Sequence, residues 1–377
     1  MREKGLTAIA LKKINRAKVY HYIYEERLTS KLQIVKELQM GLSTVSQNLV
    51  MLEEEGLIDR NGSFDSTGGR KAQVIRIVPD VKISLGVGIL KNMFHIAAVD
   101  LYGEAVHKDT FCLSYENSEG YYDEITGRIK EFIKEKGYRE DQVLGISIAT
   151  QGIIAPDGAC VTYGPIMDNQ DMKLEDFASR LPYACCLEHD SKAAACLELW
   201  NHRELDSALV FLLNQNLGGA VITNHSVHKG FSMHSGTIEH LCIDPAGPAC
   251  YCGKKGCLET YCSANALEEE AGVSAEDFFR NLRKNERGRF REIWESYLFH
   301  LALAMRNCNM VIDSPVIISG YLAPYFIEED LEYLLKEINA LSPFPMLKNQ
   351  LILGTHGQYT PAIGAALSYV KTFISQV

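Results

Sequence analysis

The residues with the clearest chemistry are three cysteines and a histidine close together in the chain. His240 is followed after nine residues by Cys250-Tyr251-Cys252-Gly253-Lys254-Lys255-Gly256-Cys257-Leu258-Glu259. Three thiolates and one imidazole are the donor set of a closed, tetrahedral, structural Zn2+ site, with no position left open for an activated water. Gly253 and Gly256 allow the backbone to curl so that neighbouring sulfurs face one ion. Buried free cysteines are the alternative, but runs of this spacing in a chain without secretory features are more often metal ligands than disulfides. His240, Cys250, Cys252 and Cys257 are therefore the expected ligands and Zn2+ the expected cofactor.

A second group of polar side chains lies near the N-terminus. Residues 12–26 have a helical pattern, with Val19, Tyr22 and Ile23 on one face. Ser30 and Gln33 form a capping box for a second helix, whose apolar stripe runs from Leu28 through Ile34, Val35 and Leu38. A turn through Gln39, Met40 and Gly41 leads to a third helix with Val45, Leu49 and Leu52 facing inward. Ser43, Thr44, Ser46, Gln47 and Asn48 crowd its first turns, and short hydrogen-bonding groups there suit the recognition helix of a helix-turn-helix. Ser43, Thr44, Ser46 and Gln47 are the expected base contacts. A hairpin wing follows, from Gly56-Leu57-Ile58 through a polar loop at 61–69 to a strand over 73–78. Arg70 and Lys71 at its tip are expected to enter a minor groove or clamp a phosphate. A three-helix interaction module with a solvated polar face is the competing reading.

The chain must also hold these groups in place. Its 377 residues, 46% hydrophobic and 23% charged, suit a soluble protein of two or three domains. No apolar run approaches the roughly 20 residues of a membrane helix, and the start lacks the long apolar core of a signal peptide, so a cytoplasmic location is expected. The net charge of −10 divides unevenly, with +3 over residues 1–80 and −13 over the remainder. A mildly basic head on an acidic body is compatible with DNA binding by the head alone. Beyond residue 80, strand patterns at 85–99 and 143–148 alternate with helical patterns at 124–136, 191–200 and 362–373. Gly103 marks a hairpin between Ala97-Ala98-Val99-Asp100 and Ala105-Val106.

Taken together, the winged module, the loop H-x9-C-x-C-G-x-x-G-C-x-E and the tail Pro361-Ala362-Ile363-Gly364-Ala365-Ala366 resemble the ROK family of sugar kinases and sugar-responsive repressors, in its transcriptional-regulator branch. The resemblance covers nearly the whole chain. It implies an α/β actin-like (ribonuclease H-like) two-lobed ATPase fold behind an N-terminal winged helix-turn-helix domain. The expected boundaries are 1–80 for the head and 81–377 for the body, with lobe one at about 81–189 plus the C-terminal helix at 359–377, and lobe two at about 190–358.

By the same resemblance, kinase members cradle nucleotide phosphates on glycine-rich hairpins, because bare N–H groups must approach the oxygens closely. Where the first should read Asp-x-Gly-Gly-Thr, this chain has Gly88-Ile89-Leu90-Lys91-Asn92; where the second should read Gly-Thr-Gly-x-Gly-Gly, it has Asn214-Gln215-Asn216-Leu217-Gly218-Gly219. A third turn, Ile318-Ser319-Gly320-Tyr321, is thinned as well. Turnover of ATP is therefore not expected. Asp190 matches the kinase base and Glu259 the glutamate closing the cysteine loop, while His189 replaces an asparagine. Thr237 replaces the glutamate of Gly-Glu-x-Gly-His, and Glu239 stands at its second glycine. His189, Asp190, Thr237, His240 and Glu259 are the expected ligand-binding residues. Asp190 as a helix cap and Glu259 as a brace are the structural alternatives. The functional expectation is a repressor of carbohydrate genes that binds double-stranded operator DNA as a homodimer or dimer of dimers, releases or holds it according to a sugar or sugar-derivative effector, and has no membrane partner. Two alternatives stand beside it: an active sugar kinase with an added head, and a regulator whose body binds a partner protein.

Overall fold

In the computed structural model, which describes residues 8–64, 71–284 and 288–377, three helices and a short hairpin form the head. The first helix (Ala8–Glu26) begins ahead of residue 12 and buries Val19, Tyr20, Ile23 and Tyr24. Tyr22, expected on that face, is only half-buried, because the inward stripe is rotated toward the two other tyrosines. The capping box of the second helix (Lys31–Leu38) is present: Gln33 N–H donates to Ser30 Oγ at 3.4 Å and Ser30 N–H to Gln33 Oε1 at 3.1 Å. Leu28 is 53% exposed, so the stripe starts at Ile34. The turn into the third helix (Leu42–Glu54) contains a left-handed residue, but it is Gln39 at φ 52°, not Gly41 at φ −61°. Val45, Leu49 and Leu52 are buried as their spacing predicts. Ile58–Asp59 then pairs antiparallel with Arg76–Ile77, extended by single bridges between Ser63 and Gln73 and between Thr29 and Ile75. The wing tip, including Arg70, lies outside the described residues.

Two five-stranded sheets of identical topology build the body. In the first, Ile83–Ile89 lies between antiparallel Met93–Val99 and parallel Val143–Thr150, with Ala105–Cys112 and Cys185–His189 at the edges. In the second, Ala208–Leu213 lies between antiparallel Leu217–Thr223 and parallel Val316–Ser319, with Ser226–Val227 and Leu351–Leu353 at the edges. This is the two-lobed actin-like fold. Both central strands are buried throughout, as strands covered on two faces are, and apart from Ser84 they carry only apolar residues.

The C-terminal helix (Thr360–Gln376) packs on the first sheet and against the helix Asp190–Asn201, which in turn packs on the second sheet. The two helices approach backbone to backbone. A Cβ at Gly364 would fall on the carbonyl of Ala193, and one at Gly86 on the carbonyl of Ala362, so the Gly-Ala-Ala tail is a packing requirement. The head rests on the same layer. Its core is continuous with Val99, Leu101 and the C-terminal helix, Tyr24 Oη donates to Leu101 O at 2.9 Å, and the Arg27 guanidinium lies 3.5 Å over the Tyr102 ring.

Candidate functional site

The ligand atoms of His240, Cys250, Cys252 and Cys257 all lie within 4.8 Å of one another. Cys252 Sγ is 3.7 Å from Cys257 Sγ, and His240 Nδ1 is 3.9 Å from Cys250 Sγ. A tetrahedral ion about 2.3 Å from each sulfur requires sulfurs about 3.8 Å apart, so the four residues fit a metal of that kind. The loop is shaped for it. Gly253 and Gly256 have φ of 81° and 66°, and a Cβ at Gly256 would strike the carbonyl of Asp244. Because Nδ1 faces the thiols, Nε2 is the nitrogen of His240 left for other contacts.

His240 also lines a cavity of about 460 Å3 at the junction of the lobes. The first lobe contributes Gln151, Gly152, Ile153 and residues 162–166, the second Leu217, His234, Thr237, Glu239 and Tyr251, and His189, Asp190 and Ser191 join them. Four of the five expected ligand residues thus meet here: His189, Asp190, Thr237 and His240. Glu259 does not line this cavity. It is buried behind it, where its Oε1 accepts from Asn216 Nδ2 and its Oε2 from Leu217 N–H, both at 2.7 Å. Burial raises its pKa to about 7 against the pull of those two donors. Asp190 opens its helix and accepts from Ser191 N–H at 2.6 Å and Ser191 Oγ at 3.1 Å, a placement that the helix dipole favours.

Glu239 is one of several cavity residues outside the expected set. Glu239 sits in the short 3-10 helix Ile238–His240, is 8% exposed, and its Oε2 lacks a hydrogen-bond partner. Burial, reinforced by the nearby carboxylates of Asp190 and Glu259, lifts its pKa to about 8. Burial likewise lowers the pKa of His189 and brings that of Lys192 down to about 8. Lys192 does not line the cavity; its Nζ donates to Ser235 O.

The two hairpins aligned with the phosphate cradles differ from each other. Leu90 N–H closes on Met93 O at 2.9 Å, with Lys91 and Asn92 in solvent. At the other, Asn214 Oδ1 accepts from Tyr321 N–H at 2.7 Å, and the carbonyls of Asn214 and Gln215 accept from Ala264 and Asn265. Gly218 and Gly219 are retained there because a Cβ would strike Ser191 and Ile238.

On the head, Ser43 and Gln47 face solvent beside Lys12 and Val50. Ser46 Oγ donates to Leu42 O at 2.7 Å and Thr44 is half-buried, so those two offer less than expected. Asn48 is turned inward, with Nδ2 donating to Thr44 O at 2.9 Å. Lys71 is exposed, ahead of the returning strand Arg76–Ile77.

The family model "ROK family" matches residues 84–371. The chain belongs to the ROK family. It is 26% identical over 264 residues to the DNA-binding transcriptional dual regulator NagC of Escherichia coli K12, a match covering 69% of this chain and 64% of NagC. It is 24% identical to the xylose repressor of Bacillus subtilis over 383 residues, 97% of each chain. Among solved structures, a ROK transcriptional regulator homologous to the E. coli Mlc protein superposes with a TM-score of 0.72 at 18% identity, covering 96% of both chains. A ROK glucokinase from Streptomyces griseus, solved with glucose and AMPPNP, gives 0.66 at 18% identity, covering 76% of this chain and 98% of its own. The kinase match leaves out a larger share of this chain than the regulator match does.

Within this ROK body, Gln151, Tyr163, Tyr251 and Glu239 line the cavity without having been legible as site residues. For Glu239 a signal existed in its glycine position within the family pattern. Tyr251 lies inside the cysteine motif, between two ligand candidates and with its ring against His240, but its spacing does not show that it faces the cavity; Gln151 and Tyr163 carry no motif, and the fold alone brings them there.

Proposed function

We propose that this ROK chain is a DNA-binding transcription regulator, a repressor of carbohydrate uptake or utilisation genes, whose interlobe cavity senses a sugar or sugar derivative. The observation that carries the reading is a single helix joining cavity to head. Asp190 at the first turn of Asp190–Asn201 lines the cavity, and Trp200 at its last turn donates to Tyr102 O at 2.9 Å, beneath Tyr24 of the head. Twelve residues span about 18 Å as a rigid element. Closure of the lobes on a ligand would tilt this helix and move the head, provided the ligand binds the closed form more tightly. In a homodimer, that changes the spacing of two recognition helices over successive major grooves.

The near full-length relation to a protein named xylose repressor supports the repressor assignment. The cysteine–histidine cluster is read as a structural Zn2+ site, since four protein ligands close the coordination sphere. The hairpins support an absence of kinase turnover, because Leu90 and Asn216 stand where phosphate oxygens need bare backbone. The head is read as residues 1–80 and the body as 81–377. Ser43, Thr44, Ser46 and Gln47 are assigned to base edges, and Arg70 and Lys71 to the DNA backbone.

The test is capture of genomic fragments by the purified protein, followed by binding to the recovered sites across a salt series and a panel of sugars and sugar phosphates. Affinity should fall steeply with salt. Arg70→Ala should weaken all sites alike, Gln47→Ala should relax preference at particular bases, and a sugar from the genes next to the captured sites should shift affinity. Salt-independent binding, or ATP-dependent consumption of a sugar, would overturn the assignment.

A further inference from the structure

We infer that Cys242 and Cys257 form a redox modification site, in which a hydroperoxide joins them in a reversible disulfide and takes Cys257 out of the metal-ligand set. Cys242 belongs neither to that set nor to the cavity lining. It is exposed, whereas Cys257 is 2% exposed. The backbone sets the two face to face. They are Cα partners in an antiparallel bridge, flanked by Ile243 N–H donating to Gly256 O and Leu258 N–H donating to Leu241 O, both at 2.8 Å. Neither bond belongs to Cys242 or Cys257, so theirs is the non-hydrogen-bonded kind of pair, with Cα atoms about 4.5 Å apart and both side chains on one face. That separation lies inside the range of roughly 4.4–6.8 Å that a disulfide spans. Gly256 permits the close approach of the two segments, since a Cβ there would strike the carbonyl of Asp244.

The exposed sulfur meets the oxidant first. Cys242 Sγ donates to Lys255 O at 3.6 Å, a weak contact that leaves it free to react, while the sulfurs of Cys252 and Cys257 face each other at 3.7 Å within the ligand cluster. The oxygen–oxygen bond of the hydroperoxide breaks as Cys242 takes one oxygen, giving a sulfenic acid and an alcohol, or water when the oxidant is hydrogen peroxide. The Cys257 sulfur then attacks the Cys242 sulfur. The S–S bond forms, the S–O bond breaks, and the oxygen leaves as water with the Cys257 proton, or with one from solvent where a metal had already displaced that proton. Each sulfur gives up one electron and the hydroperoxide takes up both. Three remaining donors do not close a tetrahedral site, so the ion is released. Glu259, two residues beyond Cys257, then loses the anchor that presents its carboxylate to Asn216 and Leu217. A disulfide near the surface is the readily reduced kind, which makes the change reversible. The release of metal rests on the reading of the cluster as a Zn2+ site; the disulfide itself does not.

The experiment treats the full-length, zinc-loaded protein with a small excess of hydrogen peroxide, follows released zinc with a chromogenic chelator and maps disulfides by mass spectrometry. Cleavage before Asp244 and after Lys254 puts Cys242, the pair Cys250 and Cys252, and Cys257 on three separate peptides. The peptides of Cys242 and Cys257 should be linked, zinc should leave in step with the link, and dithiothreitol with added zinc should reverse both. Cys242→Ser should keep the zinc content of the parent and release the ion about 10-fold or more slowly under peroxide, while Cys112→Ser, at an exposed position on an edge strand of the other lobe, should match the parent. If Cys242→Ser melts well below the parent, Cys242→Ala supplies the same comparison. A link confined to Cys250, Cys252 and Cys257, zinc release from the Cys242 variants at the parent rate, or equal protection by Cys112→Ser overturns the proposal. Should the protein hold no zinc, the Zn2+ reading alone falls, and the presence or absence of the peptide link still decides the disulfide.

Discussion

The two lobes share one strand topology, yet their leading hairpins are used in opposite ways. In the first lobe, the turn at 90–92 is self-contained: Lys91 O and Asn92 O accept from Tyr115 and Leu113, which follow in the same meander. In the second, the turn at 214–216 is a hub. Asn214 holds the turn at Tyr321, Asn216 holds Glu259, and Gln151 Nε2 of the first lobe reaches Asn216 Oδ1 at 3.4 Å. The same local geometry is thus a solvent-exposed loop in one lobe and a junction of three segments in the other. The difference follows from what lies beside it, because Glu259 comes two residues after the metal-ligand candidate Cys257 and delivers its carboxylate to the second hairpin alone.

The strongest way to break this comparison is to remove the metal proposed for the cysteine loop. Chelation, or Cys257→Ser, should cost on the order of 5 kcal/mol, because metal-binding free energy is folding free energy for a loop of this kind. Hydrogen exchange should then rise at 214–217 and 250–259 and change little at 83–99. Equal loosening of both lobes would mean that the second hairpin does not depend on the cysteine loop. A smaller and opposite asymmetry is built into the first lobe through His95, 2% exposed in the strand Met93–Val99, with Nδ1 sharing a hydrogen bond with Thr110 Oγ1 at 2.8 Å. Burial lowers its pKa from 6.5 to about 4, so the folded state refuses a proton that the unfolded chain accepts. The stability tied to this group is complete above pH 6.5 and is lost as pH falls from there toward 4, by about 3 kcal/mol at the acid end. His95→Gln should flatten that part of the stability–pH curve. An unchanged acid limb in the variant would assign the loss elsewhere.

The parts legible in the sequence are those where one residue type answers one local demand. Ser30 with Gln33, the inward row Val45, Leu49 and Leu52, and the four metal-ligand candidates have partners within a turn or a loop, and their spacing alone brings them together. Gly364 and Gly86 were visible as residues, but their reason lies in contacts with Ala193 and Ala362 on other elements. The cavity was half legible. His189, Asp190, Thr237 and His240 carry a pattern, Tyr251 lies within the cysteine loop but gives no sign of its direction, and Gln151 and Tyr163 reach the cavity only through the packing of two lobes. Glu259 was placed with the ligand contacts because its position in the chain says nothing of the direction of its carboxylate, which is settled by Asn216 and the N–H of Leu217.

The finest test compares the hairpins directly through one substitution in each. Asn216→Ala removes the amide that donates to Glu259 Oε1 and leaves a buried carboxylate with one fewer donor, so it should cost about 1–3 kcal/mol in denaturant unfolding. The contact from Gln151, at 3.4 Å, is long and adds little to that figure, so Gln151→Ala should cost less than Asn216→Ala. Lys91→Ala removes only an exposed side chain, because the hydrogen bond at this residue is made by its backbone carbonyl, and it should stay within about 0.5 kcal/mol of the parent. The ratio between the two substitutions is more informative than either value. Should Lys91→Ala cost as much as Asn216→Ala, the first hairpin would also be a structural junction, and the asymmetry between the lobes would have to arise from the cysteine loop alone.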